Sequence, residues 1–302
     1  MNAKKFRNKI KLAKKYLPDN LNILFISTFG SYNYNLQNKL SDIDLKLVYI
    51  PQLYEIISHE AEVRTIEISS IGNCDLISLP HFIDGLTRYE LPYLEIIMSM
   101  KYIWINDEYK DLFNKLRELT LKMLIENKYS LLCSIIDTSE RIYGIFVNNK
   151  LIKYKGKKAY HIPRFEILFN HFMGTDEYNL EVNDKHIYEY KVGVVDQETA
   201  KWECSNIISR FKTTKSLLEP TDNTTDKFKL EFKNIVVKEL VQNEIKRNDL
   251  VNNEVVNSAI IQDEVTNYME LKYKQKQIKL IIIIMSIYNV LMLLIMLKLF
   301  WN

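Results

Sequence analysis

Cysteine is scarce and poorly placed: Cys74, Cys133 and Cys204 are the only 3 in 302 residues. They are odd in number, far apart and without a Cys-x-x-Cys pair. That argues against a disulfide framework or a zinc site and favours a reducing compartment. Of the 5 histidines, His59, His81, His171 and His186 have no partner at ligand spacing and read as structural. Glycine (7) and proline (6) are few, while Asn, Lys, Ile and Tyr abound. AT-rich coding sequence accounts for that bias, which carries no functional information. A net charge of only +3 does not by itself call for a nucleic-acid partner. The amino terminus is basic, with Lys4, Lys5, Arg7, Lys9, Lys11, Lys14 and Lys15. It lacks the long apolar core of a signal peptide and reads as a basic amphipathic helix.

What is present begins at residue 23. An apolar run, Ile23 to Phe29, stops at Gly30-Ser31, and Ser41-Asp42-Ile43-Asp44 then opens a second run through Leu45, Leu47 and Val48. Side chains alternate along a strand, so Asp42 and Asp44 share a face while Ile43 and Leu45 take the other. Two carboxylates that close repel unless a cation lies between them. Hard oxygen ligands of this kind suit Mg²⁺, which shares its sites with substrate phosphates. A Gly-Ser pair where a strand turns into a helix offers N–H groups and a hydroxyl to a phosphate.

The segments Gly30 to Leu36 and Ser41 to Asp44 resemble the DNA polymerase beta-like nucleotidyltransferase superfamily. More narrowly, they are similar to the predicted nucleotidyltransferases of bacteria and phages, whose first motif runs Gly-Ser-x-Asn-Tyr-x-Leu and then Ser-Asp-x-Asp. The resemblance covers about residues 20 to 215. It implies a third carboxylate on a neighbouring strand, because one metal activates the attacking oxygen while the other holds the triphosphate. Asp75, in the run Ile71 to Leu79, is the candidate; Glu67, in the run Glu62 to Ile68, is its rival. The metal ligands are then expected to be Asp42, Asp44 and Asp75, with Gly30 and Ser31 on the nucleotide phosphates.

From Tyr109 onward the pattern turns helical, with Leu112, Leu116, Leu119 and Met123 at three- and four-residue spacing. A further helix is expected through Leu131, Ile135, Ile136 and Ile142. A lysine-rich stretch, 153–158, then leads to His161 and Arg164, which sit three apart on one face of a helix start. Lys158, His161 and Arg164 also match a Lys-rich turn and His-x-x-Arg helix in the phage-type family, which implies contact with triphosphate or acceptor. Pro163 departs from that pattern and is tolerable only in the first turn.

Glu219 to Asp226 has the composition of a linker, and 228–276 is charged and near-helical without a clean heptad. That region suits a surface helix, a solvated spacer or self-association. Leu280 to Leu297 carries no charge, and eighteen helical residues span on the order of 27 Å, close to a bilayer core. Lysines 272, 274, 276 and 279 precede it, so a tail anchor with the enzymatic part on the cytoplasmic side is expected.

The expected architecture is α+β: a small mixed sheet with flanking helices of the polymerase beta-like type, a helical second domain and a C-terminal transmembrane helix. The expected divisions are a catalytic domain at 1–125, a helical domain at 126–215, a charged linker or helix at 216–277 and an anchor at 278–300. The expected activity is Mg²⁺-dependent transfer of a nucleoside monophosphate from a nucleoside triphosphate to an acceptor, RNA or protein among the candidates, at a lipid bilayer. Two alternatives stay open: an inactive membrane-anchored structural or binding protein, viral for instance, and a synthase of a nucleotide second messenger.

Overall fold

The computed structural model describes residues 3–17, 21–37, 41, 43–51, 64–68, 72–99, 101–148, 159–220 and 224–252. The anchor expected at 278–300, Asp42 and Lys158 lie outside them. No helix among the described residues is long and apolar enough to cross a membrane. The chain divides into two compact units, Met1–Leu240 and Val241–Asn302. The sheet and the helices described next belong to the first, except that the last helix runs on past Leu240.

Five strands form one mixed sheet: β1 (Asn22–Phe29), β2 (Asp44–Ile50), β3 (Arg64–Ile68), β4 (Gly72–Ser78) and β5 (Ile103–Ile105), in the order β3-β4-β2-β1-β5. Only β2 and β4 run parallel; the other pairings are antiparallel. Alternation along β2 sends Leu45, Leu47 and Tyr49 to one face. There, with Ile26, Cys74 and Leu76, they pack under the amphipathic helix α1 (Ala3–Lys14) through Phe6, Ile10 and Ala13. Val48 and Ile50 take the other face and join the main core. Arg7 and Lys11 are exposed on the outer side of α1, and Lys14 lies over the Trp104 ring, 3.4 Å from its centre.

The second face is covered by α2 (Leu79–Thr87), α3 (Leu91–Met98) and α4 (Lys110–Glu126). Ser78 begins α2 by accepting a hydrogen bond from the His81 N–H, with Pro80 in the first turn, where no helical N–H is lost. A bundle of α5 (Lys128–Asn148), α6 (His161–Thr175), α7 (Lys185–Val192) and α8 (Gln197–Leu217) continues the same core. Leu131, Leu132 and Ile135 share one core with Phe165, Phe169 and Phe172 and with Cys204, Ile207 and Phe211, and the Phe169 and Phe211 rings meet edge to face. Pro163 stands in the first turn of α6, so Arg164 stays on the helix. Asp184 and Asp196 cap α7 and α8 with their carboxylates, and Gly193, at φ +79°, ends α7 in the left-handed conformation that suits glycine. The last described helix, α9 (Thr224–Asn252), adds Phe228 and Phe232 to this core.

Candidate active site at the end of the sheet

β1 ends at Phe29, whose partner across the ladder is Asp44, the first residue of β2. Gly30 follows at φ +74°, a left-handed conformation that costs an L-residue but not glycine, and Gly30–Tyr32 form one 3₁₀ turn. The Gly30 carbonyl accepts from the Asn33 N–H at 2.9 Å, and the Ser31 carbonyl from the Leu36 N–H at 2.9 Å. The Gly-Ser turn and the acidic start of β2 therefore share one end of the sheet.

Asp75 lies on β4, opposite Lys46 in the parallel ladder. Lys46 and Asp44, two residues apart, share a face, and Lys46 Nζ lies 2.8 Å from Asp75 Oδ2. Asp44 and Asp75 are therefore on the same face of adjacent strands. Thr65, opposite Asp75 on β3, donates its hydroxyl to Asp75 Oδ1 at 2.9 Å. Lys46 Nζ also lies over the Phe29 ring, 4.6 Å from its centre. Both Asp75 oxygens thus have a donor, and one is a full positive charge. Glu67, the rival third carboxylate, is in β3 opposite Asn73.

No cluster of three metal-ligating side chains stands among the described residues. The described donors are nevertheless of the right kind for Mg²⁺: hard carboxylate oxygens with a cation, Lys46, already beside one of them. Asp75 keeps 28% of its side chain exposed, so a hydrated ion has access in exchange for the ammonium.

His161 and Arg164 do not stand on this open face. The Arg164 side chain is 1% exposed and that of Glu95, on α3, 3%; Arg164 Nη2 lies 2.7 Å from Glu95 Oε1. Tyr34 Oη donates to the other Glu95 oxygen, and the guanidinium lies over the Tyr34 ring, 3.7 Å from its centre. Burial disfavours the charge of Arg164, but Glu95, Tyr34 and Tyr160 outweigh it and hold its pKa above the usual arginine value. His161 stacks on Tyr160, with ring centres 4.1 Å apart. Burial, Arg164 and Lys191 together push its pKa well below the ordinary histidine range, so it is neutral at pH 7. The pair three apart on a helix start is thus a buried polar knot between the sheet half and the bundle. As placed, Arg164 has its charge committed to Glu95 and not to a phosphate.

Two participants escape sequence reasoning. Glu95 interrupts the apolar helix Leu91–Met98, a signal of a buried partner that gives no hint of which one. Lys191, in the last turn of α7, reads from sequence as a cation at a helix C-terminus. Its ammonium instead donates to the Leu36 carbonyl and lies 3.4 Å from Ser41 Oγ.

No family model and no curated protein matches the chain. Among solved structures it matches a nucleotidyltransferase-like protein from Exiguobacterium sibiricum. The two are 13% identical over 70% of this chain and 74% of that one, with a TM-score of 0.27. An overlap that loose carries no argument, and the functional reading rests on the site.

Proposed function

We propose that this chain is a Mg²⁺-dependent nucleotidyltransferase, with Asp42, Asp44 and Asp75 as metal ligands and the Gly30-Ser31 turn on the nucleotide phosphates. The observation that carries the reading is the convergence at one sheet end: a left-handed glycine turn directly after β1, Asp44 paired with the last residue of β1, and Asp75 on the same face of the next strand. Asp42, two residues before Asp44 in the sequence, completes the proposed ligand set. The metal, when bound, neutralises the triphosphate and polarises the attacked phosphorus. The chain's own groups orient: backbone N–H groups and the Ser31 hydroxyl fix the phosphate tail, and Lys46 holds Asp75 in place until an ion arrives. The acceptor, RNA or protein, and the bilayer tether through 278–300 belong to the same proposal.

The test is incubation of the full-length protein with each labelled nucleoside triphosphate, Mg²⁺ and a cell extract. Label should pass to a macromolecule and be lost in Asp42→Asn/Asp44→Asn with an unchanged circular-dichroism spectrum. Undiminished transfer by that double variant would remove the mechanism.

The Lys46–Asp75 ion pair favours a second reading. With both Asp75 oxygens satisfied from within the sheet, the same fold can serve as a binding protein without catalysis. Calorimetry separates the two: absence of Mg²⁺-nucleotide binding to wild type and to Lys46→Met alike supports the second.

A further inference from the structure

Between the Gly-Ser turn and Asp44 the chain passes through Leu36 and Ser41, and both are held by one side chain from outside the sheet. Lys191 Nζ donates to the Leu36 carbonyl and lies 3.4 Å from Ser41 Oγ. Leu36 is tied back by its own N–H to the Ser31 carbonyl at 2.9 Å, and Tyr32 Oη lies 3.4 Å from the Ser41 carbonyl. Lys191 thus closes a ring of contacts that runs from Ser31 through Leu36 to Ser41, the residue immediately before Asp42. Two neighbouring contacts lay the same segment on the helical side. The Val182 N–H donates to the Tyr34 carbonyl at 3.0 Å, and Asn35 Nδ2 donates to Asn183 Oδ1 at 3.1 Å. Asn35 itself is left-handed, at φ +60°, so the segment bends where the bundle receives it.

The other two described cations or near-cations of the bundle on this side cannot play this part. Arg164 is engaged by Glu95, and His161 is held neutral. Among these three, Lys191 is the one that reaches Leu36 and Ser41, whereas Arg164 and His161 meet the segment through the Tyr34 ring.

We infer that Lys191 is a positioning residue of the candidate site: by bridging Leu36 and Ser41 it sets the acidic start of β2 against the Gly-Ser turn, so that the bundle governs the metal geometry of the sheet. The inference rests on the nucleotidyltransferase reading, and it adds to that reading a residue outside its motifs. An ammonium on a backbone carbonyl is a charge-assisted hydrogen bond, stronger than a neutral one, and the carbonyl cannot be mutated away from the partner side. Outer-shell partners of this kind typically control metal affinity by roughly 10–100-fold.

The experiment uses the full-length protein as wild type, Lys191→Met, Lys191→Arg and Ser41→Ala. Amide hydrogen exchange without metal or nucleotide reads the clamp directly. Binding of ATP, CTP, GTP and UTP is then measured with Mg²⁺ and with EDTA. Lys191→Met keeps the apolar stem and should speed exchange at Leu36 and Ser41. It should also weaken Mg²⁺-nucleotide binding by roughly 10–100-fold while leaving binding in EDTA unchanged. Lys191→Arg should restore most of both, and Ser41→Ala should give a smaller loss in the same direction. Mg²⁺-nucleotide affinity at the wild-type level in Lys191→Met, or in Ser41→Ala should Lys191→Met not fold, overturns the inference alone. Absence of Mg²⁺-nucleotide binding in the wild type overturns the proposed function and this inference with it.

Discussion

Replacing Glu95 with glutamine changes one oxygen to an amide and leaves the shape of the core intact, yet it should destabilise this protein strongly. The Arg164 and Glu95 side chains are 1% and 3% exposed, so water cannot take over the guanidinium when its counter-charge goes. Arg164 Nε and Nη1 lack a hydrogen-bond partner among the described residues, which leaves the contacts of Nη2, to Glu95 at 2.7 Å and to His161 Nδ1 at 3.4 Å, as the main polar compensation for burial. Stacking of the guanidinium on Tyr34 and Phe165, at 3.7 and 4.5 Å from the ring centres, remains and softens the loss. Removing one partner of a buried pair costs about 3–5 kcal/mol, a large share of the roughly 5–15 kcal/mol that holds a domain together. For a unit of this size the melting temperature should fall by roughly 6–20 °C. Urea titration in mild detergent followed by circular dichroism measures it. The control is Tyr34→Phe/Glu95→Leu/Arg164→Met, which removes both charges and the hydroxyl that would lose its acceptor. An apolar replacement of a buried pair is often neutral or stabilising, so this variant should recover most of the stability lost in Glu95→Gln. A Glu95→Gln protein within about 1 kcal/mol of wild type, or a triple variant as unstable as the single, would refute the account of a charge stranded in the core.

Tyr178 is buried, with no hydrogen-bond partner for its hydroxyl among the described residues, and its pKa is driven far up by burial first and then by Glu95. Tyr178→Phe should therefore leave the urea midpoint unchanged or raise it, by up to about 1 kcal/mol, whereas a drop beyond that would show that the hydroxyl has a partner in solution. His186 Nε2 lies 2.9 Å from Glu203 Oε2, and that hydrogen bond is the first cause of a pKa raised above the ordinary histidine value. A folded pKa above the unfolded one means stabilisation fully present below about pH 6.5 and lost as pH rises through the folded value. His186→Ala should lower the melting temperature measurably at pH 5.5 and hardly at pH 9; equal losses at both would contradict that sign.

How much of this could be read from the residues depends on how far apart the interacting residues lie. The Gly-Ser turn, the strand from Asp44 and the strand holding Asp75 follow from alternation and from punctuation by glycine and serine, all within a few residues of the groups they place. Helices α4 and α5 were likewise legible as local periodicity, and the start of α6 as a helix beginning at His161. β5 was not, because three residues cannot show a period, and it becomes a strand only by pairing with Phe25 to Ser27. The role of Arg164 was misdirected for a deeper reason. An Arg three residues after a His at a helix start looks available to a phosphate, and nothing local announces that Glu95, 69 residues earlier, will meet it in the core. Glu95 sits in an apolar helix and Arg164 beside buried Ile162 and Phe165. Each is costly in its own helix, and each is the only described counter-charge that makes the other tolerable. Lys191 follows the same logic in a milder form, since a lysine in a last helical turn is ordinary until the chain folds Leu36 against it. The motif that names the chemistry is thus local, while the groups that hold the motif in place are long-range. Substitutions far from residues 30–44 should accordingly reach the site through such long-range contacts, the Glu95–Arg164–Tyr34 knot and the Lys191 bridge among them.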